Sequence, residues 1–110
     1  MLIARSLAVQ PEFILLDEPT ANLDIEHSLE LLELTKTLAA RGTAVVLSSH
    51  DLNLVANHAT RIVLLQSGKV VAHGSPQEVL EPVTLERVFR VRTELTHAPD
   101  GARSFAFQRL

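Results

Sequence analysis

Two polar strand ends are the first places in this sequence where chemistry could occur. One short apolar run is followed directly by Asp17 and Glu18, and the next is followed by Ser49 and His50. Asp17 could hold Mg²⁺ through water, because Mg²⁺ gives up its hydration shell reluctantly. Glu18 could accept a proton from an attacking water or orient that water. An apolar run ending in Asp-Glu is a weak signal, however, and alone it favours a strand end followed by an acidic helix cap.

The strands that would position these residues are short and rich in aliphatic side chains. The expected strands are 13–16, 43–47, 61–66 and 70–73. The first two are uninterrupted apolar runs, which indicates strands of a parallel sheet buried on both faces. The last two flank Ser67-Gly68-Lys69, which predicts a hairpin.

Capping residues mark where the helices between these strands begin. Asp24 and Asp51 suit N-caps, and Ser75 opens a capping box with Pro76 in the first turn and Glu78 at the third helical position. The expected helices are 2–9, 25–40, 52–58, a short one from 75 through 80, and 84–89. Alternating strands and helices predict an α/β fold with a parallel sheet and right-handed crossovers. Chemistry in such sheets collects at the carboxyl ends of the strands.

Composition excludes several classes of protein. The chain has 110 residues, a formal net charge of −3 and a pI of about 5.9, which argues against a nucleic-acid-binding surface. It has no cysteine, which excludes disulfides and thiolate metal sites. Its apolar runs are far shorter than the ~20 residues of a membrane-spanning helix, and no signal-peptide pattern is visible. A cytoplasmic protein is therefore expected.

The other histidines do not suggest a metal centre. Their positions, which follow no recognised metal-ligand spacing, are His27, His58, His73 and His97. We therefore expect no metal site built from them.

A family resemblance strengthens the functional interpretation of the two polar strand ends. The segment Phe13–Asp24, FILLDEPTANLD, resembles the Walker B motif and D-loop of ABC ATPases nearly residue for residue. Ser48–Asp51, SSHD, resembles the H-loop of that family, and Met1–Pro11 is similar to the helix that follows its signature motif. The resemblance extends to about Phe89, and the tail Arg90–Leu110 is less diagnostic.

The resemblance implies a role for each of these residues. Asp17 would be the Walker B aspartate near Mg²⁺, and Glu18 the catalytic carboxylate that polarises the lytic water. His50 would contact the γ-phosphate of ATP. Asp24 would lie in the D-loop, which in this family faces a second ATPase subunit across an ATP-sandwich dimer. The expected fold is a partial P-loop NTPase (RecA-like) parallel sheet with flanking helices and a C-terminal hairpin.

Domain organisation and cellular setting follow from the same resemblance. Residues 1–89 would be the C-terminal part of an ABC ATPase domain, and 90–110 a tail that could form a β-hairpin. The intact subunit would be cytoplasmic and peripheral on the inner face of the membrane, bound to a permease subunit. Three segments look like the matching parts of importers of iron-siderophore, haem or cobalamin complexes: His50–Leu54, Val70–Pro76 and Val79-Leu80.

One half of the expected ATP site has no counterpart in the printed sequence. A phosphate cradle needs a glycine-rich loop ahead of a helix, and no G-x-x-x-x-G-K-[ST] occurs here. The signature motif and Q-loop of the family are missing as well. We therefore expect the 110-residue chain alone to lack ATPase turnover at a rate typical of the family.

A non-enzymatic function is the alternative. A half-domain of this kind could pair with a full ATPase subunit through its D-loop face and act as a regulator or a dead subunit. A pull-down with full-length subunits separates the two hypotheses, because failure to bind any of them removes the only mechanism of the alternative.

Overall fold

The chain divides into two compact units. The computed structural model describes residues 12–110, and the division falls between His50 and Asp51. The first unit contains the chain up to His50 and is called unit one; the second, Asp51–Leu110, is called unit two. The helix expected at 2–9 lies outside the described residues.

Unit one is built around a parallel pair of strands. Strand β1 (Phe13–Asp17) pairs with β2 (Ala44–Ser48) from Phe13 opposite Ala44 to Asp17 opposite Ser48. A parallel pair needs a crossover connection, and helix α1 (Ile25–Ala40) supplies it. The predicted parallel α/β arrangement is confirmed here.

Helix α1 has the boundaries that its capping residues predict. The Asp24 side chain accepts a hydrogen bond from the backbone N–H of His27 at 2.8 Å, which satisfies one of the free donors at the helix start. Gly42, with φ +98°, follows the end of the helix in the left-handed conformation that glycine adopts without strain. The helix packs against β2 and buries Leu32 and Leu38.

One face of the β1–β2 pair remains open to solvent. Ile14 is buried, whereas Phe13, Leu15 and Val46 are 56%, 68% and 47% exposed. The prediction that both strands are buried on both faces is therefore wrong for the described residues. The reason is physical: the described part of unit one contains one helix, and one helix can cover one face of a sheet.

Unit two consists of two antiparallel hairpins and three helices. Its strands are β3 (Ile62–Gln66), β4 (Lys69–Gly74), β5 (Val91–His97) and β6 (Arg103–Arg109). Its helices are α2 (Leu52–His58), α3 (Pro76–Val79) and α4 (Pro82–Phe89). The capping box at Ser75 and the N-cap at Asp51 are both formed.

Strand pairing in unit two confirms both expected hairpins and corrects one expectation. Strand β3 pairs with β4, and β5 pairs with β6 around the turn at Pro99-Asp100-Gly101. The strand-helix rhythm had predicted that β3 would continue the parallel sheet. Across residues 12–110, β3 has only the antiparallel partner β4. Short-range pairing through a tight turn explains the outcome, since it orders far less chain than a crossover does.

A contiguous apolar core holds unit two together. Leu80 and Leu85 are completely buried, and the side chains packed with them come from both hairpins and from helices α2, α3 and α4. The buried members of this core are Ala56, Ile62, Leu64, Val79, Leu80, Leu85, Val88 and Phe105. Unit two therefore has a buried apolar core built from its own residues, although Val63, Leu65 and Val83 are more than half exposed.

Two asparagines of α2 hold strand β6. Asn53 accepts from the N–H of Phe105 at 2.6 Å and donates to its carbonyl at 3.2 Å. Asn57 accepts from the N–H of Arg103 at 2.9 Å and donates to its carbonyl at 2.8 Å. Each side-chain amide offers one acceptor and two donors, so it can satisfy a backbone N–H and C=O as a neighbouring strand would. These contacts cap one edge of the hairpin, an edge that would otherwise expose unpaired groups.

Candidate functional site

The candidate site lies where β1 and β2 end, in unit one. Asp17 is the last residue of β1 and is exposed. Glu18 follows it with φ +47°, a left-handed backbone conformation that is uncommon for a residue with a side chain. Outliers of this kind cost free energy and concentrate at functional sites.

Ser48, at the end of β2, connects the two acidic residues. Its hydroxyl donates to Asp17 Oδ1 and accepts from the backbone N–H of Glu18 at 3.0 Å. A serine hydroxyl has one donor and two acceptor positions, so both bonds can exist together. The parallel register sets Ser48 directly opposite Asp17, which is why the hydroxyl reaches both.

His50 meets Glu18 at the same edge of the sheet. Its Nε2 lies 3.1 Å from Glu18 Oε1, within hydrogen-bonding distance. The His50 side chain is 97% exposed and that of Glu18 is 31% exposed. Exposed pairs of this kind contribute little to stability. The pair therefore has more value as a polar surface open to a ligand than as a structural brace.

Asp24 stands apart from this group and caps α1. Its carboxylate accepts from the backbone N–H of His27 and lies 2.7 Å from His27 Nδ1. The backbone hydrogen bond, followed by the side-chain one, lowers the pKa of Asp24 below its usual 3.8. The turn that leads to Asp24 is exposed from Ala21 onward. At its start, the N–H of Ala21 donates a hydrogen bond to the carbonyl oxygen of Glu18 at 3.2 Å.

The site can supply few protein ligands to a magnesium ion, which would take most of its ligands from phosphate and water. Within residues 12–110, no group of three or more His, Cys, Asp or Glu side chains is arranged to hold a metal ion. Asp17 nevertheless offers exposed anionic oxygens, the ligand type that Mg²⁺ prefers. Mg²⁺ commonly binds through one or two carboxylates together with phosphates and water. Asp17 is compatible with that mode.

Sequence reasoning named the acidic residues and the histidine but missed Ser48 as a functional candidate. Its contacts are with residues 30 and 31 positions away along the chain, so no local pattern reveals them. The available signal was the alignment of the two strands at their carboxyl ends. The roles of Asp17, Glu18, Asp24 and His50 stay predictions.

Curated relatives give the site its context. The chain is 46% identical over 97 residues to the hemin import ATP-binding protein HmuV of Rhodococcus jostii (strain RHA1), which covers 88% of this chain and 33% of that protein. It is 41% identical over 96 residues to the HmuV protein of Chelativorans sp. (strain BNC1), covering 87% of this chain and 37% of the relative. The chain belongs to the ABC-transporter ATP-binding subunits. It spans about a third of the length of the curated ABC subunits that it matches. No protein-family model matches the chain.

A solved structure supports the same family and fold. An inward-facing conformation of a metal-chelate type ABC transporter matches 99% of this chain and 44% of its own, with a TM-score of 0.80 and 27% identity. The predicted fold, a partial P-loop NTPase with a C-terminal hairpin, is confirmed by this neighbour and by the β5–β6 pairing. In the described part of this ABC subunit, no helix is long and apolar enough to cross a membrane.

Proposed function

We propose that this chain carries the hydrolytic side of the ATP site in an ABC importer subunit whose cargo is haem or a related metal chelate. The observation that carries the proposal is the 3.1 Å contact between Glu18 and His50 beside Asp17. The names of the similar proteins, hemin import subunits and a metal-chelate type transporter, support the cargo class.

Each residue has a task that suits its chemistry. Glu18 accepts a proton from the attacking water or orients it, and its carboxylate lies 3.1 Å from His50 Nε2. His50, exposed and able to donate from its ring, contacts the transferred phosphoryl group and stabilises charge there. Asp17 would hold Mg²⁺, and the ion would neutralise charge on the phosphates.

Other proteins complete the assembly in this proposal. The exposed turn from Ala21 to Asp24 faces a second ATPase subunit in an ATP-sandwich dimer, and capping of α1 by Asp24 fixes where that turn ends. A permease subunit couples hydrolysis to transport, which puts the subunit on the cytoplasmic face of the membrane. A solved relative, cbiO1 of Clostridium perfringens, is described as part of the ABC transporter complex cbiONQ. It matches 77% of this chain and 34% of its own at 29% identity, with a TM-score of 0.64.

The test is the substitution Glu18→Gln in the full-length subunit assembled with its permease. We expect ATP turnover to fall by about 10²-fold or more, in the range measured for general bases, while ATP binding persists. Glu30→Gln, an exposed position on α1, is the matched control and should leave turnover unchanged. Full turnover in the Glu18 variant would rule out the proposed role of this carboxylate.

A further inference from the structure

The Ser48 hydroxyl occupies a position that the proposed hydrolytic chemistry does not itself explain. It lies between the two acidic residues, donating to Asp17 Oδ1 and accepting from the Glu18 N–H at 3.0 Å. Ser48 is exposed, so water could replace it at either atom at little cost to stability. A direct hydroxyl bridge is therefore better explained by what it orients than by what it stabilises.

The backbone of Glu18 shows what is being oriented. With φ at +47°, Glu18 holds a conformation that residues other than glycine, asparagine and aspartate rarely adopt. This turn directs the Glu18 side chain to His50 Nε2 at 3.1 Å. The backbone N–H of Glu18 donates to the Ser48 hydroxyl, so this hydroxyl stabilises the uncommon backbone conformation of Glu18.

The same hydroxyl also makes the two carboxylate oxygens of Asp17 inequivalent, because it donates to one of them. Oδ1 accepts from Ser48, which restricts the rotation of the carboxylate and leaves Oδ2 outside this hydrogen bond. A carboxylate held in one orientation presents a metal-bound water with a single geometry. Without the serine, Asp17 could rotate freely at the exposed end of β1.

We propose that Ser48 is a positioning residue that fixes the orientation of the Asp17 carboxylate and the backbone of Glu18 together. This inference rests on the proposed function, since the value of the fixed geometry lies in ATP hydrolysis. It adds a residue on β2 that acts through Asp17 and Glu18.

The test compares Ser48→Val with Ser48→Thr in the full-length subunit assembled with its permease. Threonine keeps the hydroxyl and valine has nearly the same shape without it, so the pair isolates one functional group. We expect Ser48→Val to lower kcat by about tenfold, the effect of one lost hydrogen bond, and to raise the Mg²⁺ concentration needed for half-maximal rate. KM for ATP and Tm should stay unchanged, and Ser48→Thr should restore most of the rate.

A second measurement does not depend on turnover. Amide hydrogen exchange at Glu18, followed by NMR in the nucleotide-free subunit, should be slow in the parent and in Ser48→Thr and fast in Ser48→Val. Equal exchange in all three proteins, or equal kcat in the valine and threonine variants, would overturn the role of Ser48. Loss of Tm together with kcat in the valine variant would also overturn it, because the serine would then be structural.

The two proposals fail in different ways. If Glu18→Gln leaves turnover intact, the proposed function fails, and the exchange comparison at Glu18 still decides whether the Ser48 bridge exists. If Glu18→Gln abolishes turnover but Ser48→Val does not lower it, only the positioning role is lost.

Discussion

The two units of this chain differ in the apolar core that their described residues form. Unit two encloses a core in which Leu80 and Leu85 are fully buried, although Leu65 and other side chains of its β3–β4 hairpin are more than half exposed. Unit one leaves Phe13 and Leu15 more than half exposed on the face of the sheet that also carries Asp17. The residues to which we assign hydrolytic chemistry therefore lie in unit one, whose described residues bury only three apolar side chains, and none of them lies in the unit with the larger core.

The largest expected effect tests this difference directly. In the 110-residue chain, Leu85→Ala should lower the free energy of unfolding by about 2–5 kcal/mol because it leaves a cavity in a closed core. Leu15→Ala in the same chain should change it by no more than about 0.5 kcal/mol, since Leu15 is mostly exposed. Urea unfolding of each variant provides the measurement.

The full-length subunit extends the same comparison. The curated relatives are about three times as long as the matched segment, and we expect further chain to cover Leu15 there. Leu15→Ala should then cost about 2 kcal/mol or more in the full-length protein. A Leu15 substitution that is equally mild in both proteins would show that the open face stays open.

Much of the local structure of both units could be predicted from the sequence because its causes are local. Asp24, Asp51 and Ser75 each cap a helix at the position where their spacing to the apolar residues placed it. The hairpin at Ser67-Gly68 follows from turn chemistry, with both residues at positive φ. These features depend on neighbours within a few residues.

The misses have non-local causes. The exposure of Leu15 depends on which elements cover β1, and the sequence of the strand itself does not contain that information. The bridge through Ser48 requires the register of two strands to within one residue.

A second, smaller effect probes how unit two closes its edge. Asn53→Ala removes the partner of both the N–H and the carbonyl of Phe105, and should destabilise the chain by about 1–3 kcal/mol. The amide of Phe105 should also exchange faster with solvent. Gln77→Ala, an exposed amide on α3, serves as the control and should have little effect. No loss of stability at Asn53 would mean that water replaces the side chain at no cost.

The smallest effect concerns acid and the N-cap of helix α1 in unit one. The pKa of Asp24 is lowered by its hydrogen bonds from His27, so its contribution to the stability of α1 is present above pH 3.8 and lost as pH falls through the lower folded value. NMR titration of the Asp24 carboxyl carbon should give a midpoint below 3.8.

The variant Asp24→Asn supplies the control for that titration. Asparagine keeps an acceptor for the N–H of His27 but has no charge to lose, so the acid dependence of α1 should flatten. A midpoint for Asp24 at or above 3.8 would contradict the hydrogen bonding assigned to this cap.

The paired asparagines of α2 also set limits on how this part of the protein can change in evolution. Asn53 and Asn57 are four helical residues apart, a rise of about 6 Å, and they contact backbone two strand residues apart, a rise of about 6.8 Å. The match of these two periods allows both amides to bind at once. The turn between β5 and β6 can therefore lengthen or shorten, whereas an insertion or deletion between Arg103 and Phe105 would leave one asparagine without its partner.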